Sequence, residues 1–384
     1  LSFGRDYIIP TPFDPRLIYT IPPAVARAGM DTGVARRPII DMDSYTHNLK
    51  ARMDPTAAIQ QSLYARARQA QSRMIFAEGD DERVLRAAVA YQRSGLGKAL
   101  VVGQEDDVKR RLDLAGLGDA VRELTVVNAA NTRHLDAYRS FLYQRLQRQG
   151  FDQRDVHRMV TRDRHIFSAL MLAHGHGDAL VTGATRKSAL VMDMINHVFD
   201  ARAQDGAVGV SALLHKGRIV LIADTLVHEW PEEEDLADIA IRAAGVARSL
   251  GIEPRVAFVS FSTFGYPISE RAMKMHLAPD VLDRRGVDFE YEGEMTVDVA
   301  LNPQAAAAYP FSRLTGPANI LVCPARHSAS ISVKLMQEMA GATVIGPILT
   351  GVPKPIQILS TGATVNDIMN MAVMAACRVG LVGK

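Results

Sequence analysis

Residues 231–265 read PEEEDLADIAIRAAGVARSLGIEPRVAFVSFSTFG. From Leu236 to Leu250 the apolar side chains recur with the period of an α-helix, the acidic residues 232–235 occupy its positive N-terminal end, and Gly251 ends it. The next run, RVAFVSF at 255–261, is short and apolar, which predicts a buried strand. A helix that leads directly into such a strand is the repeating unit of an α/β protein.

The same alternation of strands and helices extends outward from this stretch. Strands are predicted at MIFAE (74–78), ALVVG (99–103), DALVTG (178–183) and ANILVC (318–323), with a helix at 82–93. This order predicts an α/β fold with a mainly parallel sheet. In GVSALLHKGRIVLIAD (209–224), Lys216 and Gly217 separate two apolar runs, which predicts a β-hairpin and therefore an antiparallel element.

The beginning of the chain has a different character. Five prolines in DYIIPTPFDPRLIYTIPPAV (6–25) predict irregular or extended chain, because each restricts φ and removes a backbone donor. A short helix is predicted from Ala24 to Ala35, and the segment before about Thr56 is interpreted as a tail or linker. Residue 1 is not Met, and no basic segment leads into an apolar core, so we expect a fragment without a signal peptide.

Composition excludes several classes of protein. The 384 residues are 48% hydrophobic and 22% charged, as in an ordinary globular chain of two or three domains. A net charge of +2 disfavours nucleic-acid and membrane-surface partners. No apolar run reaches the roughly 20 residues of a membrane span. Cys323 and Cys377 form no CxxC pair, so we expect neither a disulfide scaffold nor a zinc ribbon, and a reducing cytoplasm.

Four loops that follow predicted strands are rich in small polar residues, and they are 183–188, 260–265, 326–330 and 359–364. Ligands of open α/β sheets bind at the carboxyl ends of the strands, where such loops can offer donors to an anion. Helix capping by Ser and Thr is the competing interpretation. Two roles are likewise possible for Asp367. It could act as a general base, or its charge could complement the dipole of its helix.

Two further groups of side chains are candidates for binding a metal ion or a phosphate. His174 and His176 lack a third partner for a metal ion, so a turn or pocket-edge role is favoured and no metal site is predicted. A run of arginines from Arg133 to Arg164 includes Arg145 and Arg148 and alternates with aspartates, which is typical of a solvated helical surface. One or two of these arginines could turn inward to a phosphate.

Longer stretches carry a resemblance to a known family. The segments DALVTGA (178–184), 231–265, FEYEGEMTVDVALN (289–302), LTGPANILVCPA (314–325) and GPILTGVPKPIQILSTGATVNDIMNMAV (346–373) together resemble the phosphotransacetylase family. Their order and spacing match from about Ala70 to the C-terminus. The opening FGRDYIIPTPFDPRLIYTIPPAVARAGMDTGVA (3–35) resembles the end of the NAD(P) domain of bacterial malic enzymes. The two signatures adjoin in hybrid malic enzymes, which carry a phosphotransacetylase-like domain at their C-terminus.

The resemblance implies two α/β domains with a cleft between them, a phosphotransacetylase or isocitrate-dehydrogenase-like fold. Residues 1–55 would be the end of the malic-enzyme NAD(P) domain and a linker, 56–204 with 347–384 domain I, and 205–346 domain II. The implied small-molecule ligand is acetyl-CoA or CoA. The implied assembly is a homodimer, with a higher oligomer in the full-length enzyme. The malic-enzyme catalytic domain would be a partner in cis, and NADP and a divalent metal would belong only to that missing N-terminal part.

The family's site residues carry over in part. In active members a Ser and an Arg stabilise the acetyl and phosphate groups, and an Asp seven residues after the Ser takes the CoA thiol proton. Ser360 and Asp367 match, whereas Thr361 stands where the arginine is expected, and a second family arginine falls at Asp193. The loss of one such donor costs roughly 10² to 10³ in rate. Lower-ranked candidates for contact with the ligand are Ser262, Thr263, Thr361, Arg326, Arg145 and Arg148.

These departures predict an acetyl-CoA- or CoA-binding regulatory and oligomerisation domain of an NADP-dependent malic enzyme, without transacetylase turnover. The parent enzyme would decarboxylate malate oxidatively to pyruvate. The first alternative is an active phosphate acetyltransferase in which Arg326, Arg145 or Arg148 replaces the missing charge. The second is a structural oligomerisation module with an empty cleft.

Overall fold

A computed structural model of the protein describes residues 17–35, 39, 42, 45, 49, 55–199, 206–267 and 269–379. Contacts divide the chain into two units, Leu1–Ser62 with Lys216–Arg218, and Leu63–His215 with Ile219–Lys384. The second unit holds both β-sheets except for Arg218, the first residue of β6. Its strands are β1 Ser72–Phe76, β2 Gly97–Val102, β3 Thr125–Val127, β4 Ala179–Thr182, β5 Val208–His215, β6 Arg218–Ala223, β7 Arg255–Val259, β8 Glu290–Met295, β9 Ile320–Val322, β10 Thr343–Thr350 and β11 Ile356–Ile358.

Helices connect most of these strands. They are α1 Leu17–Asp31, α2 Pro55–Ala70, α3 Glu82–Arg93, α4 Glu105–Leu114, α5 Leu135–Leu146, α6 Gln153–Arg162, α7 Arg164–Ala173, α8 Ser188–Phe199, α9 Glu233–Ser249, α10 Glu270–Arg285, α11 Val297–Leu301, α12 Pro303–Ala306, α13 Arg326–Ala340 and α14 Val365–Cys377. The predicted helix at 82–93 is confirmed at both ends. Asp81 begins it because its carboxylate accepts the backbone N–H groups of Arg83 and Val84.

The first sheet has five strands in the order β11-β4-β1-β2-β3. Neighbouring strands in this sheet run parallel, with Ile75 opposite Leu180 and Leu180 opposite Ile356. Strands β4 and β11 are buried along their whole length, whereas β3 at one edge of the sheet is partly exposed. Ile75, Leu180 and Ile358 belong to one core cluster together with Phe167 of α7. The carboxyl ends of β1, β4 and β11 therefore lie side by side.

The second sheet has six strands in the order β10-β5-β6-β9-β7-β8. Three of its pairs are parallel, whereas β10 runs antiparallel to β5. The predicted hairpin joins β5 to β6 through Lys216 and Gly217, whose φ angles of 47° and 72° suit a tight two-residue turn. The predicted α/β class, mainly parallel with an antiparallel element, is confirmed. The proposed domain boundaries stay a prediction.

The proline-rich beginning departs from expectation. The helix predicted from Ala24 to Ala35 instead spans Leu17–Asp31 and contains Pro22 and Pro23. The prediction of irregular chain is therefore wrong over residues 17–23. Each proline removes one donor from the helix ladder, but its φ near −65° is helical, so the two gaps interrupt hydrogen bonding without ending the helix. Residues 6–16 of the predicted irregular stretch lie outside the described residues.

Candidate functional site

A pocket of about 90 Å³ lies where the loop after β11 and helix α14 meet β10 and helix α13. Two of the residues that the sequence singled out, Ser360 and Asp367, both line it. The full lining comprises Gln337, Val344, Ile345, Gly346, Leu359, Ser360, Ala363, Asp367, Asn370 and Met371. The other predicted contacts, at positions 145, 148, 262, 263, 326 and 361, do not line it.

The end of β11 determines where Ser360 lies. The buried Leu359 donates its N–H to the carbonyl of Thr182 at 2.7 Å, which extends the pairing with β4 by one residue. The chain then turns, and the N–H of Ala363 bonds to the carbonyl of Ser360 at 3.1 Å. Ser360 and Thr361 are exposed on this turn, so their hydroxyl groups are available to a ligand.

Asp367 caps its own helix and also faces the pocket. Its Oδ2 accepts the N–H of Thr364 at 2.9 Å and the Thr364 hydroxyl at 2.8 Å, and the Thr364 Oγ1 accepts the Asp367 N–H at 3.2 Å. This is a reciprocal capping box at the start of α14. The helix-terminal role, one of the two predicted for Asp367, is confirmed. The box uses only Oδ2, and Oδ1 accepts no hydrogen bond from the described part of the chain.

The pocket's electrostatics are unusual for an anion site. Among the described residues that line it there is no lysine, arginine or histidine, and Asp367 is the one ionisable group. The remaining polar side chains are the hydroxyl of Ser360 and the amides of Gln337 and Asn370. Sites for phosphate normally supply Arg or Lys charge. This pocket instead offers hydroxyl and amide groups beside a carboxylate.

Glu78, in the loop after β1, and Arg83, in the first turn of α3, hold the neighbouring loops, and the sequence reasoning missed both. Glu78 is fully buried, and its carboxylate accepts the N–H groups of Gly183 and Thr185 at 3.0 and 3.1 Å. Burial raises the pKa of Glu78, although these hydrogen bonds oppose the shift. Arg83 donates from Nη1 to the carbonyls of Thr361 and Ala363, at 3.0 and 2.8 Å. No local signal reveals this role, because the loops that the two residues hold are more than a hundred positions away along the chain.

Serine and threonine in the loop after β7 bond within the protein. Ser262 is buried, and its hydroxyl donates to Ser260 Oγ at 3.3 Å. Thr263 Oγ1 donates to Thr296 Oγ1 at 3.4 Å and accepts the Thr296 N–H at 3.2 Å. These bonds engage both hydroxyl groups within the protein, but they cap no helix, and Ser269 is the residue that caps the helix after this loop. Contact of either side chain with a ligand stays a prediction.

The three candidate arginines lie in different places. Arg326 begins α13 and forms an ion pair with Glu229 at 3.1 Å. Arg145 of α5 lies over the ring of Phe141, 5.8 Å from its centroid. Arg148 is exposed in the turn after α5. Their contact with phosphate stays a prediction.

The protein-family comparison identifies the chain. The model of the family described as Phosphate acetyl/butaryl transferase matches residues 58–376. The chain belongs to this family. A phosphate acetyltransferase of Clostridium acetobutylicum is 31% identical over 333 residues, which cover 83% of this chain and 97% of that protein. The phosphotransacetylase structure from Streptococcus pyogenes superposes with a TM-score of 0.78 and 27% identity, over 85% of this chain and 99% of that one.

A second similarity extends to the beginning of the chain. The NADP-dependent malic enzyme of Rhizobium meliloti (strain 1021) is 48% identical over 378 residues, 98% of this chain and 50% of that protein. The chain thus spans about half the length of the malic enzymes that it matches. The paired resemblance to phosphotransacetylases and malic enzymes is confirmed.

The histidine pair does not form a metal site. His174 and His176 lie in the turn after α7, where His176 Nδ1 is 2.5 Å from the hydroxyl of Tyr138 and His174 Nδ1 is 2.9 Å from the carbonyl of Leu170. Within the ranges that the structure describes, no three His, Cys, Asp or Glu side chains come together as a metal site. None of the described helices is both long and apolar enough to cross a membrane.

Proposed function

We propose that this chain is an acetyl-CoA- or CoA-binding regulatory and oligomerisation domain of a cytoplasmic NADP-dependent malic enzyme, and that it does not turn over acetyl phosphate. The observation that carries the proposal is the pocket itself. It keeps Ser360 and Asp367, yet no cation is found among its described lining residues. It is suited to holding a ligand and poorly suited to stabilising a reacting phosphate.

The chemistry of acyl transfer explains why the pocket is poorly suited to a reacting phosphate. Acyl transfer to phosphate brings an anionic nucleophile to a thioester and develops further negative charge on the carbonyl oxygen. A site must stabilise both with preorganised donors, and the loss of one such donor costs roughly 10² to 10³ in rate. Thr361 supplies a hydroxyl where a charged fork is required. The nearby carboxylate of Asp367 repels phosphate unless a cation offsets it.

The polar lining of the pocket supports its role in holding a ligand. A coenzyme A thioester carries amide groups along its flexible arm, and the side chains of Gln337 and Ser360 can exchange hydrogen bonds with amides. Asp367 retains a carboxylate oxygen outside its capping box. Such a pocket can bind the arm and the thioester without catalysing transfer.

The malic-enzyme context comes from the similarity along nearly the whole chain. In this proposal, NADP and a divalent metal belong to the part of such an enzyme that this chain does not match. Regulation then requires coupling between the acetyl-CoA pocket and the catalytic part. Such coupling is typically about 1 to 3 kcal/mol and is carried by two states of an interface.

An active phosphate acetyltransferase is the second candidate, and the 31% identity over nearly the whole length of a phosphate acetyltransferase favours it. It requires a substitute cation. Arg326 is available at small cost, because its exposed pair with Glu229 is worth about 0 to 1 kcal/mol. Arg145 and Arg148 are both exposed, so no buried ion pair would have to break for either to serve as the substitute cation.

The deciding experiment titrates acetyl-CoA into this chain by calorimetry and assays acetyl phosphate formation on the same sample. We expect saturable binding and no turnover. Turnover at an ordinary enzyme rate would establish the second candidate, and Arg326→Gln would then test its substitute cation. Dimerisation without any binding would leave a structural oligomerisation module.

Restoring the missing charge tests the reason for inactivity. Thr361 is exposed, so an arginine fits there without being buried. We expect Thr361→Arg to raise turnover by about 10² or more and Thr361→Lys to raise it less, because only arginine presents a planar fork to phosphate. Equal effects of the two variants, or no effect of either, would contradict this account of the pocket.

A further inference from the structure

Three loops meet at the carboxyl edge of the first sheet. They follow β1, β4 and β11, which are neighbours in the strand order β11-β4-β1. The loop after β11 carries Ser360, and we call residues 360–363 the serine loop. Between β11 and α14 it has few bonds of its own, the turn bond from Ala363 N–H to the Ser360 carbonyl among them. Its position must therefore be determined by contacts from elsewhere in the chain.

Arg83, in the first turn of α3, makes those contacts. Its Nη1 donates to the carbonyls of Thr361 and Ala363 at 3.0 and 2.8 Å. Its Nη2 donates to the carbonyl of Ala184, in the loop after β4, at 3.2 Å. One guanidinium group thus joins the loops after β4 and β11 to the helix that follows β1.

The acid Asp81 holds this guanidinium in place. Its Oδ1 accepts Nε–H of Arg83 at 3.1 Å and its Oδ2 accepts from Nη2 at 2.8 Å. Burial opposes ionisation of Asp81, but the hydrogen bonds and charge of Arg83 and the helix amides outweigh it and lower the pKa of Asp81. Asp81 is itself the N-cap of α3, so its carboxylate is attached to a rigid element.

The donors of Arg83 are completely used. A guanidinium has five N–H groups. One meets Asp81 through Nε, two meet the serine loop through Nη1, and two meet Asp81 and Ala184 through Nη2. No N–H group remains for a bound phosphate, so Arg83 does not replace the missing arginine at position 361. Its effect on a ligand must pass through the serine loop.

We propose that Arg83 is the positioning residue that fixes the serine loop and thereby sets the place of Ser360 at the pocket. The proposal rests on the proposed function, because it takes acetyl-CoA as the ligand whose binding depends on Ser360. Lysine cannot do the same, since its ammonium is a point charge and cannot span two carbonyls of one loop, a third of another and a carboxylate.

Arg86 provides a matched control on the same helix. It lies one turn further along, pairs with Glu82 at 2.8 Å and donates to the carbonyl of Ala115 at 3.1 Å. It has a similar exposure, with 41% of its side chain accessible against 36% for Arg83. None of its described bonds goes to the serine loop. Substitutions at the two positions therefore differ chiefly in that contact.

The experiment compares Arg83→Lys and Arg83→Gln with Arg86→Lys and Arg86→Gln in the full chain. Hydrogen exchange is measured on peptides that cover residues 360–364, and acetyl-CoA binding is measured by calorimetry. We expect both Arg83 variants to exchange at least ~10-fold faster in the serine loop and to bind acetyl-CoA ~10-fold more weakly, the factor that corresponds to about 1.4 kcal/mol. Both Arg86 variants should stay within ~2-fold of wild type.

The outcomes separate this proposal from the proposed function. Equal exchange in the Arg83 and Arg86 variants overturns the role of Arg83 in holding the loop. If Arg83→Lys binds acetyl-CoA as tightly as wild type and only Arg83→Gln binds it more weakly, a positive charge is sufficient at position 83. That result overturns the claim that a guanidinium group is required. If wild type binds no acetyl-CoA, the proposed function fails, and loop exchange alone then decides whether Arg83 holds Ser360 in place.

Discussion

His165 makes the protein's stability depend on pH in a way that the structure quantifies. It lies at the start of α7, its side chain is buried, and its Nδ1 is 2.6 Å from the hydroxyl of Thr182, the last residue of β4. Burial lowers the pKa of His165 from 6.5 to about 4. Asp163 opposes that shift, whereas Arg186 and Arg164 add to it. The imidazole is therefore neutral in the folded protein at pH 7.

The size and sign follow from linkage. The pKa difference between the unfolded and the folded state is roughly 2.5 units, and each unit is worth about 1.4 kcal/mol, so the full effect is about 3 kcal/mol. Above pH 6.5 neither state binds this proton and there is no effect. As the pH falls from 6.5 to about 4, the unfolded state takes up a proton that the folded state does not. Folding stability falls through that window.

The test compares urea denaturation of wild type and His165→Gln between pH 7.5 and pH 4.5. Glutamine cannot titrate, and its amide can still bond to the Thr182 hydroxyl. We expect the stability of wild type relative to the variant to fall by about 2 to 3 kcal/mol on acidification. His157→Gln is the control, since His157 is an exposed histidine on α6. It should show no comparable change.

Parallel pH curves for wild type and His165→Gln would refute the reasoning. They would mean that His165 binds its proton equally well in both states, and hence that burial does not penalise the imidazolium at this position. The same result would place the acid sensitivity of the fold on its carboxylates instead.

Three further outcomes follow from packing, capping and burial. Phe167→Ala should lower the free energy of unfolding by about 3 to 5 kcal/mol in urea denaturation. Phe167 is fully buried and packs edge-on against Tyr138, with 5.6 Å between the ring centroids. The conservative Phe167→Leu should lower the free energy of unfolding much less. Thr364→Ala should cost about 1 kcal/mol through loss of the capping box with Asp367, measured by the same method; an unchanged midpoint would argue against the box. Cys323 should resist a thiol reagent at pH 8 until the chain is unfolded, because burial raises its pKa to about 12; labelling of the folded chain at Cys323 would contradict that.

Much of the fold was predictable because its signals are local. The helix at 82–93 was predicted to the residue, since an N-cap aspartate and an apolar face mark it within twelve positions. The strands were located to within a few residues by their short apolar runs. The prolines at 22 and 23 misled, because a restricted φ is compatible with a helix as well as with extended chain. The local conformational preference of proline allows both structures, and the contacts with the rest of the chain decide which one forms.

The candidate site divides along the same line. Ser360 and Asp367 were predicted together and do line one pocket. Arg83 and Glu78 were missed, because Arg83 and Thr361 are 278 positions apart and Glu78 and Gly183 are 105 apart. A strand order that places the ends of β1, β4 and β11 side by side brings these residues together. No periodicity or spacing in the sequence encodes that adjacency.

The sequence by itself determined the α/β class, the alternation of strands and helices, the family resemblance and the neutral residue beside Ser360. Those properties depend on residue identity and on contacts a few positions apart. Only the tertiary structure decided that the pocket with Ser360 and Asp367 has no cation among its described lining residues, and that every donor of Arg83 is engaged. Charge within a pocket is a sum over residues that the chain brings together from distant positions, so it exists only once the strands have paired.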